Sequence, residues 1–75
     1  MNPELEKSEM LKGLGLNLRN YSLTEIVNSG FVGKNTVYRG NLHLYEKNGV
    51  QILFKKENAH FTPYGYYEGS KEIVF

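Results

Sequence analysis

The pattern of apolar and polar residues changes character near residue 35. Before that point, short apolar groups lie between helix-capping residues, which is typical of short helices. After it, β-branched and aromatic residues alternate with polar ones, which is typical of strands. We therefore expect a single α+β domain, in which a helical N-terminal segment (1–14) and a short capped helix (22–30) pack on a three- to four-stranded antiparallel sheet (35–75).

Residues typical of helix ends predict two helices. Lys12 and Gly13 close the first helix, because basic residues and glycine are common at helix C-termini. Its apolar face is thin, so we expect this helix on the domain surface or against a second subunit. Ser22 and Glu25 form a capping box, in which each side chain bonds the other residue's backbone N–H, and this predicts a second helix over residues 23–28.

The stretch "TVYRGNLHLYEKNGVQILFKKE" predicts a central β-hairpin with its turn at "KNG". A two-residue loop at 48–49 would pair Leu44 with Leu53. A three-residue loop at 47–49 would instead pair Leu44 with Ile52 and gather the apolar residues on one face, so we favour it. The expected core face, covered by Ile26 and Val27 of the short helix, comprises Tyr38, Leu42, Leu44, Val50, Ile52 and Phe54.

The C-terminal part of the chain predicts a third strand near residues 61–67 and a short last strand at 72–75. Pro63 has no N–H to donate to a neighbouring strand. We therefore expect the third strand to lie at an edge of the sheet or to begin after this proline. Simple alternation then points Tyr64 and Tyr66 towards the hairpin and Tyr67 towards the opposite face.

Composition and charge narrow the possible functions. A chain of 75 residues forms a thin core, since a domain of this size buries only about 60% of its unfolded surface. It has no cysteine and no apolar run longer than three residues, and its start, "MNPELEKSEM", is acidic, so we expect a soluble cytoplasmic protein with no membrane contact. Its net charge of +1 does not favour strong non-specific attraction to nucleic acid.

None of the sequence patterns that identify common enzyme classes is present. His43 and His60 lack the spacing of a metal site. No serine lies in a G-x-S-x-G motif, and the glycines do not form a phosphate-binding loop. We therefore expect a non-enzymatic protein without catalytic residues, cofactor or metal.

The stretch "FTPYGYYEG" is the strongest candidate for a binding surface. Tyrosine is enriched at protein interfaces because its ring adds contact area and its hydroxyl keeps a hydrogen bond. The same rings could instead only stabilise the sheet, or stack on single-stranded bases. We expect a larger protein partner, as for a small inhibitor, adaptor or accessory protein of a phage or mobile element, with a homodimer as a further possibility. The predicted partner-binding residues are Tyr45, Leu53, Tyr64, Tyr66 and Tyr67.

The run "LTEIVNSGFVGKNTVYRG" (23–40) resembles the helix-turn-helix opening of excisionase-like and MerR-like winged-helix proteins. The resemblance extends to residue 57 and implies an alternative function, a compact regulator that binds double-stranded DNA. The hairpin would then be the wing. Residues 34–40 are thus either a strand or a short recognition helix. The nucleic-acid-binding residues that the resemblance implies are Lys34, Asn35, Thr36, Tyr38, Arg39, Lys47, Lys55 and Lys56.

Overall fold

The chain folds as two helices on one face of a five-stranded antiparallel sheet, in a computed structural model that describes residues 3–34 and 40–75. The helices are α1 (Pro3–Leu14) and α2 (Leu23–Asn28), and the strands are β1 (Val32–Gly33), β2 (Leu42–Lys47), β3 (Val50–Glu57), β4 (His60–Glu68) and β5 (Lys71–Val74). The strands lie in the sheet in the same order as in the chain. The predicted α+β class is confirmed, although the sheet has more strands than expected.

Helix α1 ends in a hydrogen-bonded glycine motif that turns the chain into the core. The N–H of Gly15 donates to the carbonyl of Lys12 at 3.0 Å, and the N–H of Leu16 donates to the carbonyl of Leu11 at 2.8 Å. Gly15 has a φ of 73°, which glycine adopts without strain. The helix therefore ends slightly later than the predicted Gly13, and Leu11 and Leu16 are both buried.

Helix α2 forms as predicted and ends in the same way. The Ser22 hydroxyl accepts from the Glu25 N–H, and the Glu25 carboxylate accepts from the Ser22 N–H, both at 3.2 Å. After Gly30, which has a φ of 94°, the N–H of Phe31 donates to the carbonyl of Ile26 at 3.3 Å. Both Ile26 and Phe31 are buried in the core. The capping box and the terminal glycine thus place two core side chains in and just after this short helix.

The hairpin turn uses the register that we did not favour. Leu44 lies opposite Leu53, so the loop contains only Asn48 and Gly49. Their φ values of 52° and 79° are those of a type I′ turn, which Asn-Gly forms readily. The favoured three-residue loop is wrong because it assumed one buried face, whereas this sheet carries buried residues on both faces.

One face of the sheet packs against the helices, and we call it the core face. Its side chains form a single cluster with Leu11, Leu14 and Ile26 of the two helices, so both helices pack on this face as expected. Val27, expected in the core, is 55% exposed, and Tyr38 lies outside the described residues. Leu42 and Leu44, also expected here, belong to the opposite face. The core-face residues in this cluster are Tyr45, Ile52, Phe54 and Phe61, and Tyr66 shares their face because it pairs with Ile52.

Strand β4 lies between β3 and β5 and is therefore not an edge strand as a whole. Its partner β5 pairs only with the four residues from Gly65 to Glu68. Pro63 lies before that paired stretch. No β5 residue pairs with it, so its lack of an N–H costs no hydrogen bond between β4 and β5. Earlier still, Phe61 exchanges two hydrogen bonds of 2.7 Å with Tyr21, which covers this part of the edge.

The strands of the central hairpin are β2 over 42–47 and β3 over 50–57. Gly40 has a φ of 59° and lies in a turn with Asn41, so β2 begins at Leu42. The predicted strand residues 36–39 lie outside the described residues. The two-residue strand β1 was not predicted, and it pairs with the far end of β2.

Candidate functional site

The face of the sheet away from the helices carries a second apolar cluster, and we call it the outer face. Leu42, Leu44 and Leu53 are buried there, with exposures of 6%, 7% and 0%. Tyr64 and Tyr67 pack against these leucines and are only partly buried. Within residues 3–34 and 40–75, every member of this cluster comes from the sheet, in contrast to the core, which includes helix residues. The accessible aromatic surface of this cluster is therefore that of its two tyrosines.

A β-bulge turns Tyr64 towards the outer face. Leu53 pairs with Gly65 and Phe54 pairs with Pro63, so Tyr64 is an extra residue without an opposite partner on β3. Simple alternation would have placed Tyr64 on the same face as Tyr66. The bulge breaks that alternation, and Tyr64 joins Tyr67 instead.

Gly65 lies between the two partly exposed tyrosines in the chain and opposite Leu53. A Cβ at Gly65 would lie 2.6 Å from the backbone oxygen of Ile73, which is closer than real Cβ atoms approach. The close approach of β5 therefore requires glycine here. Gly65 adds no side chain to the outer face, where Tyr64 and Tyr67 both pack against the cluster that contains Leu53.

The five predicted partner-binding residues do not share one surface. Tyr45 and Tyr66 lie on the core face, with exposures of 9% and 4%, so Tyr45 was wrongly left out of the expected core face. Leu53 lies on the outer face but is fully buried. Tyr64 and Tyr67 remain as partly exposed members, and their role in partner binding stays a prediction.

Local contacts hold the tyrosines in place. The Tyr67 hydroxyl donates to a Glu72 carboxylate oxygen at 3.4 Å.

On the core face, the Tyr45 ring contacts Phe54 and Phe61 edge-on, with centroid distances of 5.4 Å and 6.2 Å. Burial raises the pKa of Tyr45, since the charged phenolate would lose its hydration there. Tyr45 thus serves as an apolar core ring.

A basic groove of about 370 Å³ opens beside β1 and β2. Lys34 and Lys56 line it together with His43, and the rings of Tyr45 and Phe61 form its aromatic wall. Lys34 also pairs with Glu46 at 3.4 Å. The Lys56 ammonium lies 5.8 Å from the centre of the Phe61 ring, a favourable cation–π geometry.

The other predicted nucleic-acid-binding residues lie elsewhere or outside the described residues. Lys47 donates to the carbonyl of Leu14 at 3.1 Å, which ties it to the end of α1. Lys55 pairs with Glu57 at 3.0 Å and alternates onto the outer side of β3. The remaining four, which all belong to the stretch outside the described residues, are Asn35, Thr36, Tyr38 and Arg39.

Two further features bear on the chemistry that the molecule can support. Within residues 3–34 and 40–75, no group of three or more His, Cys, Asp or Glu side chains is arranged to hold a metal ion. In the same ranges, neither helix is long and apolar enough to cross a membrane.

Comparison with known proteins identified no relative: no protein-family profile, no curated protein and no solved structure matches this chain.

Sequence reasoning missed Leu42 and Leu44 as members of the outer face. It assigned them to the core because it favoured the three-residue loop over the register with Asn48-Gly49. The Asn-Gly dipeptide was the available signal, since it is the strongest short-range marker of a two-residue hairpin loop. Giving that marker precedence would have placed both leucines beside Leu53.

Proposed function

We propose that this protein is a small non-enzymatic binding protein that acts on a larger protein through the outer face of its sheet. The observation that carries the proposal is the pair of partly exposed tyrosines, Tyr64 and Tyr67, packed over a cluster whose members among the described residues all belong to the sheet. Such a protein would work as an inhibitor, adaptor or accessory protein, for example of a phage or mobile element in the cytoplasm.

The fixed position of both rings supports binding. An aromatic side chain that is already packed in the free protein loses little conformational entropy when a partner covers it. The rings of Tyr64 and Tyr67 rest on buried leucines, and a bond to Glu72 holds the Tyr67 hydroxyl. A partner would therefore contact two aromatic rings that are already in position, each of which carries a hydroxyl group.

Site-specific crosslinking in the natural host tests this proposal. Benzoylphenylalanine replaces Tyr67 in one variant and Val27, which is 55% exposed on α2, in a matched control. We expect one protein to crosslink at position 67 and not at position 27. The captured protein is then purified and titrated. The double variant Tyr64→Ala/Tyr67→Ala should bind it at least about tenfold more weakly, since interface tyrosines often contribute more than about 1 kcal/mol each.

Two controls separate binding from folding. Thermal unfolding must show that the double variant is folded at the titration temperature, and Val27→Ala should leave the affinity unchanged. An unchanged affinity in the folded double variant would contradict the proposal. If the captured protein is a second copy of the chain, sedimentation at several concentrations will show a dimer, and the proposed larger partner is then wrong.

A second candidate function is binding to double-stranded DNA, which the basic groove favours. That groove brings Lys34, Lys56 and His43 together beside two aromatic rings. Lysines beside an open groove can neutralise phosphates, and such binding weakens steeply as salt is added. The residues that resemble a recognition helix continue directly from Lys34 along the chain.

Duplex titration at several salt concentrations tests this second candidate. We expect Lys56→Ala and Arg39→Ala to weaken binding at low salt, and Lys56→Ala to lower the salt slope by about one. Lys12→Ala, on the exposed side of α1, is the matched control. Absence of duplex binding at low salt would exclude this function and leave the protein-binding proposal unaffected.

A further inference from the structure

A second groove, of about 430 Å³, lies on the core-face side of the sheet between α1 and the ends of β3 and β4. Its inner residues are apolar: Leu14 is buried, and Met10 and Val50 are partly buried. Its outer residues are the glutamates Glu6, Glu9 and Glu68, with Asn48 at one end. The groove therefore has an apolar floor and an acidic rim, and it is separate from the outer face.

The three rim glutamates form no ion pair with a described residue. Among the described residues that line the groove, three are glutamates and none is basic. The ion pairs formed within the described parts of the chain involve other carboxylates. The basic groups nearby are engaged elsewhere or line other space: Lys47 bonds the carbonyl of Leu14, and Lys7 and Lys71 line a neighbouring groove that shares Glu6 and Tyr66. The rim thus presents a negative field to solvent.

Tyr66 adds an independent sign of a ligand. Its side chain is only 4% exposed, with the ring centre 5.4 Å from that of Phe75, and it lines the groove between the glutamates. Its hydroxyl makes no hydrogen bond to a described residue. No fully buried side-chain oxygen in the described residues lacks a partner, so this hydroxyl is not fully enclosed, and its residue lines the groove together with Glu6 and Glu68. A buried ring in the groove wall thus carries an accessible hydroxyl that is available to a ligand.

The electrostatics of the Tyr66 hydroxyl agree with that placement. Burial raises the pKa of the phenol, and the negative charges of Glu68 and Glu6 raise it further. The phenol therefore stays neutral at physiological pH. Its oxygen can then accept a hydrogen bond from a cationic donor beside the two carboxylates.

The chemistry of the groove selects a class of ligand. The carboxylates are too dispersed to enclose a metal ion, since they form no metal-binding group within the described residues. A long side chain with an apolar stem and a charged end fits better, because the stem can lie along Met10 and Leu14. Arginine suits the site more than lysine does. Its planar group can donate to a carboxylate and to the Tyr66 oxygen together, whereas an ammonium acts as a point charge.

We propose that this groove binds an arginine side chain of a basic peptide segment. The stem lies on the apolar floor, and the guanidinium donates to the rim glutamates and to the Tyr66 hydroxyl. The site is independent of the protein-binding proposal for the outer face, because it lies on the other face of the sheet and shares no residue with it.

An NMR titration of the isotope-labelled protein tests this site with a short amidated peptide that contains two arginines between glycines. We expect amide shifts to concentrate at the groove residues, and a lysine version of the peptide to bind more weakly. Replacing the three rim glutamates together by glutamine should weaken binding about tenfold, since three exposed charge contacts of roughly twofold each multiply. Tyr66→Phe, which keeps the ring, should weaken it roughly twofold to fivefold.

Matched controls decide the outcome. Glu57→Gln removes one exposed carboxylate on β3 outside the groove and should leave the affinity unchanged. The assignment is overturned if the triple glutamine variant binds as tightly as the wild type, or if the shifts scatter over the whole surface. It is also overturned if spermidine, which has charge but no guanidinium, binds as tightly as the peptide.

Discussion

Gly65 lies so close to strand β5 that a side chain does not fit there. An added Cβ would meet the backbone oxygen of Ile73 at 2.6 Å, and backbone atoms cannot rotate away. The same residue lies opposite Leu53, between the two partly exposed tyrosines of the outer face. A single backbone contact therefore couples the stability of the sheet edge to the shape of the candidate binding surface.

We predict that Gly65→Ala destabilises the protein by about 1–3 kcal/mol, because the added methyl group forces the two strands apart. Gly13→Ala is the matched control. Gly13 lies within α1, and no atom lies within 4 Å of the place that an added methyl group would take, so alanine should stabilise the helix by about 0.5–1 kcal/mol. Thermal unfolding followed by circular dichroism measures both effects. Equal melting temperatures for the two variants would contradict this account.

The Glu25 carboxylate illustrates a pH-dependent contact at the surface. A hydrogen bond from Arg19, at 2.9 Å, is the main cause that lowers its pKa, and the Ser22 N–H adds to this. Because the folded pKa lies below the unfolded one, the charge stabilises the fold at neutral pH. That contribution is lost as the pH falls through the folded pKa.

We predict that Glu25→Gln is less stable than the wild type at pH 7 and that the difference vanishes in acid. Glutamine keeps an oxygen that can accept from Ser22 and removes only the charge, so the variant isolates the ionic part of the cap. Urea unfolding of both proteins from pH 7 down to about pH 3 provides the measurement, since that range spans the ordinary pKa of a glutamate. A difference that stays constant across the range would show that the charge does not stabilise the fold.

At the scale of elements, both helices end in the same motif. A glycine of positive φ follows each helix, and the next residue, Leu16 or Phe31, donates back to the helix and enters the core. The glycine therefore connects the end of a helix to a buried anchor. This arrangement compensates for the shortness of α2, which could not be stable alone.

We predict that Gly30→Ala lowers stability by about 1–2 kcal/mol, because an L-residue is strained at a positive φ. The neighbouring variant Ser29→Ala is the control, since Ser29 has a right-handed helical conformation with a φ of −81°. It should change stability little. In a domain of this size, 1 kcal/mol corresponds to a shift of roughly 4–8 °C in Tm, which calorimetry resolves easily. A similar Tm for both variants would count against the motif's role.

The hairpin shows why register was harder to predict than the presence of the strands. Alternation predicts β2 and β3, but it permits two registers that differ by one residue. The choice depended on whether one face or both faces of the sheet are buried, and this is a property of the tertiary structure. Likewise, the bulge at Tyr64 depends on how Pro63 and Gly65 fit against β3, which alternation cannot reveal.

At the scale of the whole molecule, the chain divides its buried residues between two clusters of unequal size. Phe54 is fully buried at the centre of the larger one, where it meets Phe31 and Tyr45 edge-on at 5.4 Å each. The adjacent Leu53, also fully buried, points into the outer cluster. The larger cluster joins the helices to the sheet, so most of the stability of the fold should depend on it.

We predict that Phe54→Ala leaves most of the chain unfolded at 25 °C. The expected cost of about 3–5 kcal/mol is comparable to the whole stability that a core of this size supplies. Val27→Ala, at a position that is 55% exposed, should remain folded. Dispersion of the amide signals in a proton–nitrogen NMR spectrum distinguishes the two states. A well-dispersed spectrum for Phe54→Ala would contradict the prediction.

The α+β class was predictable because local signals agree with the tertiary structure over most of the chain. The capping box at Ser22 and the alternation of β3 each specify an element without help from distant residues. Strand β1 has no such signal: its two residues are exposed, and only their pairing with Tyr45 and Glu46 makes them a strand. The candidate site was predicted in part, because the shared face of Tyr64 and Tyr67 depends on a bulge that only the assembled sheet defines.

The sequential order of the strands has a consequence for the speed of folding. Each strand pairs with its neighbour in the chain, and β2 through β5 are joined by turns of two residues, so most of the sheet can form by closing very short loops. Chains with mainly local contacts cross a lower entropic barrier. We expect the main refolding phase to be a single exponential complete within roughly milliseconds, as stopped-flow tyrosine fluorescence would measure. Such a chain would expose its strand edges only briefly after synthesis, which limits the time available for aggregation.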